Sequence, residues 1–315
     1  MMISLVGFQI VLPLVLIVGL AIAPPHNRLG FLLQALVTAI TLVAIARLGI
    51  WMFPPWWTRY FYGVLLVVAL VVGRRQLKLS QPLPSHWLGW GVIVAFVAFG
   101  VFIGNAALQS WAGRLPPPLP VVDLTFPLRG DGYLIVHGGS NIQVNPHMKT
   151  LDESVPRFRA YRGQSYGVDI IQINRFGLRA NGILPDDLAA YRIYGDPVLA
   201  PCAGTIVQAV DDFPDMPIPQ ADQENRAGNH VILRCGEVDV LLAHFRPQSL
   251  AVQSGMDVQV GDRLAEVGNS GASNEPHLHI SAQRPGSSDA PLSGEPLPMR
   301  FAGQFLIRGD CITQP

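Results

Sequence analysis

Acidic side chains are missing from the first 122 positions: all 22 Asp and Glu lie from Asp123 onward. The same stretch holds seven basic residues, Arg28, Arg47, Arg59, Arg74, Arg75, Lys78 and Arg114. A formal net charge of zero over 315 residues therefore joins a basic, apolar half to an acidic, polar one. Charged residues make up only 14% of the chain, against about 25% in ordinary soluble domains. This scarcity excludes a single uniform soluble domain, a disordered chain and a nucleic-acid binder driven by a basic surface. Lysine is absent after position 149. A lipoyl- or biotinyl-type domain, which the run 254–265 resembles, therefore has no residue to modify. The three cysteines, Cys202, Cys235 and Cys311, include no C-x-x-C pair, which excludes a metal knuckle of that spacing.

What the chain does have is long apolar runs. Crossing a bilayer takes about 20 apolar residues in a helix, and four stretches qualify: 3–23, 30–52, 55–73 and 87–108. Pro24-Pro25, Pro54-Pro55 and Pro82 with Pro84 separate them. The expectation is an all-α transmembrane bundle of four helices over 1–109. Too few polar residues remain to give such helices a wet face in a soluble bundle. The first run lacks the basic start of a cleaved signal peptide and is followed by three more. Arg47 reads as a snorkelling end rather than a functional site. The loop with Arg74, Arg75 and Lys78 is the densest basic cluster here, and basic loops stay in the cytoplasm. The inner membrane would then hold the spans, with everything after residue 109 outside. Residues 110–122, rich in proline, read as an extended spacer.

From Asp123 the texture changes to short runs of β character at 133–137, 167–173, 204–210, 230–234, 238–244, 263–267 and 277–282. Gly, Pro, Asn and Asp punctuate them, which predicts an all-β domain over 123–315. One helix is expected at 184–191. Cys202 leads into one expected strand and Cys235 ends another, which favours a Cys202–Cys235 disulfide in an oxidising compartment.

Six of the eight histidines fall in this half. His277 and His279 are two apart on an expected strand, so they project from the same face. His244 ends the apolar run 241–243. Asp169 lies within a hydrophobic run, where a carboxylate is costly unless paired or bound to metal. Two imidazoles and a carboxylate around an open position is the pattern of a catalytic zinc. His230 opens an expected strand and reads as structural.

Gly167-Val168-Asp169-Ile170, Gly195-Asp196-Pro197, Gly228-Asn229-His230, Ala243-His244-Phe245, Val260-Gly261-Asp262 and Pro276-His277-Leu278-His279 occur in one order. That ordered set, over about 133–283, resembles the M23 peptidases of the lysostaphin/LytM group. The resemblance implies a β-sheet zinc endopeptidase acting on peptides of bacterial peptidoglycan, with Zn2+ as cofactor. It implies Asp169 and His279 as ligands, His277 as general base and His244 as stabiliser of the developing oxyanion, or those two roles exchanged. One position departs: the family's first ligand, four residues before the aspartate, is Ser165. His147, brought beside Asp169 with Asn145 by an extended segment, is the expected substitute. His137 and an incomplete site are the alternatives, and an incomplete site would imply a non-hydrolytic regulatory or wall-binding module.

Overall fold

The computed structural model describes residues 2–76 and 81–313, and Lys78 of the basic loop lies outside them. The chain forms two compact units, Met1–Ala112 and Gly113–Pro315.

The first unit is helical: α1 (Met2–Val6), a π-helical turn over Gly7–Val11, α2 (Leu12–Ile22), α3 (Arg28–Leu48), α4 (Thr58–Gln76) and α5 (Trp87–Ala112). The irregularity before α2 has a covalent cause. Pro13 has no N–H to offer the carbonyl of Gln9, four residues back. The Tyr62 hydroxyl donates to that carbonyl instead, at 2.7 Å. The buried Gln9 side chain donates to Phe53 O at 2.8 Å and accepts from Ile50 N, which pins the loop after α3. Asn27 starts α3 by accepting from Gly30 N. Leu32, Val94, Val101 and Phe102 stay largely exposed, as apolar side chains facing lipid would.

Among the described residues, three helical segments are long and apolar enough to cross a membrane: Ser4–Ile22, Arg28–Leu48 and Trp87–Ala112. The expected third span does form a helix, α4, but Arg59, Arg74 and Arg75 lie within its 19 residues. Length and composition by themselves thus mark three of the four expected spans among the described residues. The Arg47 guanidinium stacks on the Trp111 ring, 3.7 Å from its centroid, so it has an aromatic partner as well as a polar end.

The second unit is β-rich. Its strands are β1 (Val122–Leu124), β2 (Asp131–His137), β3 (Val168–Gln172), β4 (Pro197–Leu199) and β5 (Gly204–Val210). They continue with β6 (His230–Cys235), β7 (Val238–Ala243), β8 (Asp257–Val258) and β9 (Arg263–Glu266). The last are β10 (Leu278–Gln283), β11 (Pro296–Leu297), β12 (Met299–Phe301) and β13 (Cys311–Thr313). A nine-stranded sheet has the order β13-β2-β3-β10-β7-β6-β5-β8, with β11 on β10. Strands β4 and β9 form an antiparallel pair, and β1 and β12 a parallel one.

Alternation decides which face does what. Val168 and Ile170, Leu278 and Ile280, Val240 and Leu242, Val231 and Leu233 turn to one side and join a continuous core. Each such side chain stabilises the fold by roughly 1.5–3 kcal/mol when fully buried. Asp169 and His279, at the odd positions of β3 and β10, must then point to the other face.

Three local expectations need correction. Residues 184–191 do not form a helix: Pro185 and the Asp187 side chain, which accepts from Ala189 N, leave only a 3-10 turn at Leu188–Ala190. The segment holding His147 is not extended but a 3-10 helix, Pro146–Leu151, with Asn145 as its cap. His277 precedes β10 instead of lying on it.

Cys202 and Cys235 are disulfide-bonded, 33 residues apart, and join the end of β6 to the turn before β5. Closing a loop of that length removes chain entropy from the unfolded state. Replacing both cysteines with alanine is expected to lower unfolding stability by about 3–4 kcal/mol in denaturant titrations. A change below about 1 kcal/mol would contradict this account.

Candidate metal centre

Register builds the site. Asp169 on β3 is the direct partner of His279 on β10, and directly opposed residues share a face. His279 Nδ1 lies 2.8 Å from Asp169 Oδ1. The other carboxylate oxygen is met by His147, whose Nε2 lies 3.0 Å from Oδ2. His277 reaches the same carboxylate, with Nε2 3.8 Å from Oδ1. His244 closes the group, its ring 4.7 Å from that of His277 and 5.9 Å from that of His279, centroid to centroid.

His147 arrives through a set of hydrogen bonds that includes Ser165. Asn145 Oδ1 accepts from His147 N at 3.1 Å, while its Nδ2 donates to Gly139 O and to Gly167 O. The 3-10 helix is thereby tied to the residues just before Asp169. Thr150 Oγ1 lies 2.8 Å from both His147 O and Ser165 Oγ and shares its single proton between these two acceptors. Ser165 is fully buried, and its hydroxyl donates to Arg162 O at 2.7 Å. Ser165 is thus spent on fixing the segment that carries His147.

The two outer imidazoles are oriented from behind. His244 Nδ1 donates to Ser270 O at 2.9 Å, and His277 Nδ1 donates to Glu275 O at 2.9 Å. Each is left with a bare Nε2. His244 has φ of 70°, a left-handed conformation uncommon for a residue with a Cβ and often found at functional sites. Glu275 is held by a buried, bidentate pair with Arg179, at 2.7 and 2.8 Å. Removing one partner would strand a buried charge, at about 3–5 kcal/mol.

Burial alone would raise the Asp169 pKa. His147, His277 and His279 outweigh it and hold the carboxyl well below the usual range. Burial lowers the pKa of His279, and, with His277 and His279 nearby, pushes His244 well below the usual imidazole value. An ionised carboxylate and neutral imidazoles are the forms in which these side chains ligate a metal. The ligand atoms of His147, Asp169 and His279 lie within 4.8 Å of one another. His279 Nε2 is buried without a partner among the described residues. The donor set therefore fits a divalent cation.

His137 lies across from Asp169 in the β2–β3 register. Burial pushes its pKa down to about 3, and its Nδ1 accepts from Arg308 Nη2 at 3.0 Å. It stands beside the three-residue group, not in it. Arg308 and the Arg179–Glu275 pair had no signature in the sequence: their partners are remote along the chain, and each residue is ordinary by itself.

Residues 187–291 match peptidase family M23. A curated relative from Haemophilus influenzae, described as an uncharacterized metalloprotease, is 30% identical over 234 residues. The match covers 71% of this chain and 46% of that protein, so the chain spans about half its length. Two solved structures are similar in part. The catalytic domain of the antimicrobial peptidase lysostaphin from Staphylococcus simulans is 23% identical, with 40% of this chain and 71% of that one covered at a TM-score of 0.26. A zinc containing peptidase from Vibrio cholerae is 20% identical, with 37% and 26% covered at a TM-score of 0.25.

Two measurements follow. His147→Ala is expected to lose bound divalent metal by elemental analysis, while Ser165→Ala keeps it; the opposite order would overturn the assignment. The second concerns apo protein. Imidazoles of His230 and His244 have folded pKa values below their unfolded value of 6.5. The unfolded state therefore binds more protons below that pH, and stability falls as pH falls. Each contributes a loss of stability that grows as pH falls below 6.5. Asp196, raised to about 6, opposes this between its two pKa values. A melting temperature that stays flat from pH 7.5 to pH 5 would refute the net sign.

Proposed function

We propose that this chain, which carries a peptidase family M23 domain, is a membrane-anchored zinc metalloendopeptidase acting on peptide bonds of bacterial peptidoglycan. The observation that carries this reading is the convergence of His147 on the Asp169–His279 pair, which supplies a third donor where Ser165 cannot. Two imidazoles and one carboxylate suit Zn2+ with a position left open. His147, Asp169 and His279 would hold the ion. The ion would supply Lewis-acid polarisation of the scissile carbonyl and acidify the attacking water.

The protein's own groups do the rest. His277, with its Nδ1 proton fixed on Glu275 O, presents Nε2 as the general base. His244 also presents a bare Nε2. Burial opposes its charging, so its Nε2 becomes a donor only by taking a second proton from solvent as negative charge develops beside it. Stabilisation of that charge by His244 would then be realised in the transition state rather than with bound substrate. If the two roles are exchanged, the same geometry serves.

The membrane reading extends the three apolar segments by α4, whose terminal arginines can snorkel to the headgroups. With Arg74 and Arg75 on the cytoplasmic side, the β-rich unit lies outside the cytoplasmic membrane. The Cys202–Cys235 disulfide is in keeping with that compartment.

The test is cleavage of purified muropeptides by the full chain, read by mass spectrometry. His277→Ala and His244→Ala should each keep the metal and lose about 100-fold or more in rate. Unimpaired cleavage in either variant would remove that residue from its role. Metal-loaded wild type that binds muropeptides and cuts none would favour a non-hydrolytic wall-binding module.

A further inference from the structure

The sheet carries a row of partners across six strands: His137, Asp169, His279, Ala243, His230 and Val210 pair in sequence on β2, β3, β10, β7, β6 and β5. His230 thus faces the same side as His279, two strands away, or about 10 Å. Ala243 on the strand between them is the register partner of both. On this far side a cavity of about 370 Å3 opens, lined by His230, by the apolar side chains of Val210, Phe213 and Leu292, and by the carboxylates of Glu224 and Asp289.

The polar lining combines two carboxylates and His230 with the donors and amides of Arg226, Gln208 and Asn225. His230 is 9% exposed. Its Nδ1 donates to Gly228 O at 2.7 Å, so Nε2 is left as an acceptor, and it has no partner among the described residues. Glu224 and Asp289 form no ion pair among the described residues. Arg226 also lines the cavity, but its Nη1 donates to Gln223 Oε1 at 2.6 Å and its guanidinium lies over the Tyr161 ring.

We propose that this cavity is a subsite for a substrate side chain made of an aliphatic stem ending in an ammonium group. The stem lies against Val210, Phe213 and Leu292. The ammonium donates to His230 Nε2 and is neutralised by Glu224 and Asp289. An extended chain advances about 3.3–3.6 Å per residue, so the recognised residue sits within about three positions of the bond at the metal centre. The placement relative to that bond rests on the peptidase reading; the binding chemistry does not.

The experiment uses the full chain in detergent and a fluorescein-labelled Ala-Ala-Lys-Ala-Ala peptide, with its Nε-acetylated form as control. Anisotropy is read in the cold, ahead of any cleavage. The wild type should bind the lysine peptide about fivefold or more tightly than the acetylated one. Glu224→Gln combined with Asp289→Asn, both at exposed positions, should erase the preference without affecting folding, and His230→Phe should weaken it. Equal affinities in the wild type, no binding of either peptide, or a preference that survives in the Glu224→Gln/Asp289→Asn chain would overturn the subsite. Preference without cleavage of any wall peptide by the metal-loaded chain would leave the subsite standing and overturn the peptidase reading. Cleavage without preference would do the reverse.

Discussion

A carboxylate buried on a sheet face is the constraint around which the β-rich unit is arranged. Asp169 is 5% exposed, and an ionised group there is affordable only with compensation. Three imidazoles supply it, from a 3-10 helix, from the turn before β10 and from β10 itself. None of these is local to Asp169 in sequence. The strand pairing, the Asn145 cap and the turn before His277 act together to bring them within reach. Without a cation, the cluster is a carboxylate ringed by imidazoles, of which burial opposes the charging of His244 and His279. With one, the same groups become a ligand set and its neighbours.

The support behind the cluster is as specific as the cluster. His277 is aimed by Glu275, and Glu275 by Arg179, from the loop that follows β3. The segment downstream of Asp169 is thereby tied to the turn that carries His277, through a pair almost wholly out of water. His147 is aimed by Asn145, Thr150 and Ser165. Ser165 is therefore part of the packing around His147, its hydroxyl lying against Thr150 in the helix that carries it. Such supporting hydrogen bonds set the orientation and basicity of metal ligands.

The helical unit shows the same logic in an apolar setting. Pro13 deprives Gln9 of a backbone partner, and Tyr62 from α4 provides it. In hydrocarbon, an orphan carbonyl has no water to turn to, so the proline and the tyrosine belong together. Arg47 and Trp111 make a comparable pair between α3 and α5.

Much of this was legible in the chain by itself. The absence of acids before Asp123, the apolar runs and the alternation of β3, β6, β7 and β10 set the division into halves, the class of each half and most strand positions, because these depend on local composition and period. Asp169 and His244 stood out as polar groups within or at the end of apolar runs, and His277 and His279 as a pair two residues apart. The helix expected at 184–191 failed because Pro185 and Asp187 favoured a turn. The backbone around His147 could not be read, since a 3-10 helix of six residues leaves no period to detect. Arg308, the Arg179–Glu275 pair and the row from His137 to Val210 came from tertiary structure alone. Composition and periodicity report which face a residue prefers. Only strand register and loop closure, which are properties of the whole sheet, decide which residues from remote segments meet on that face.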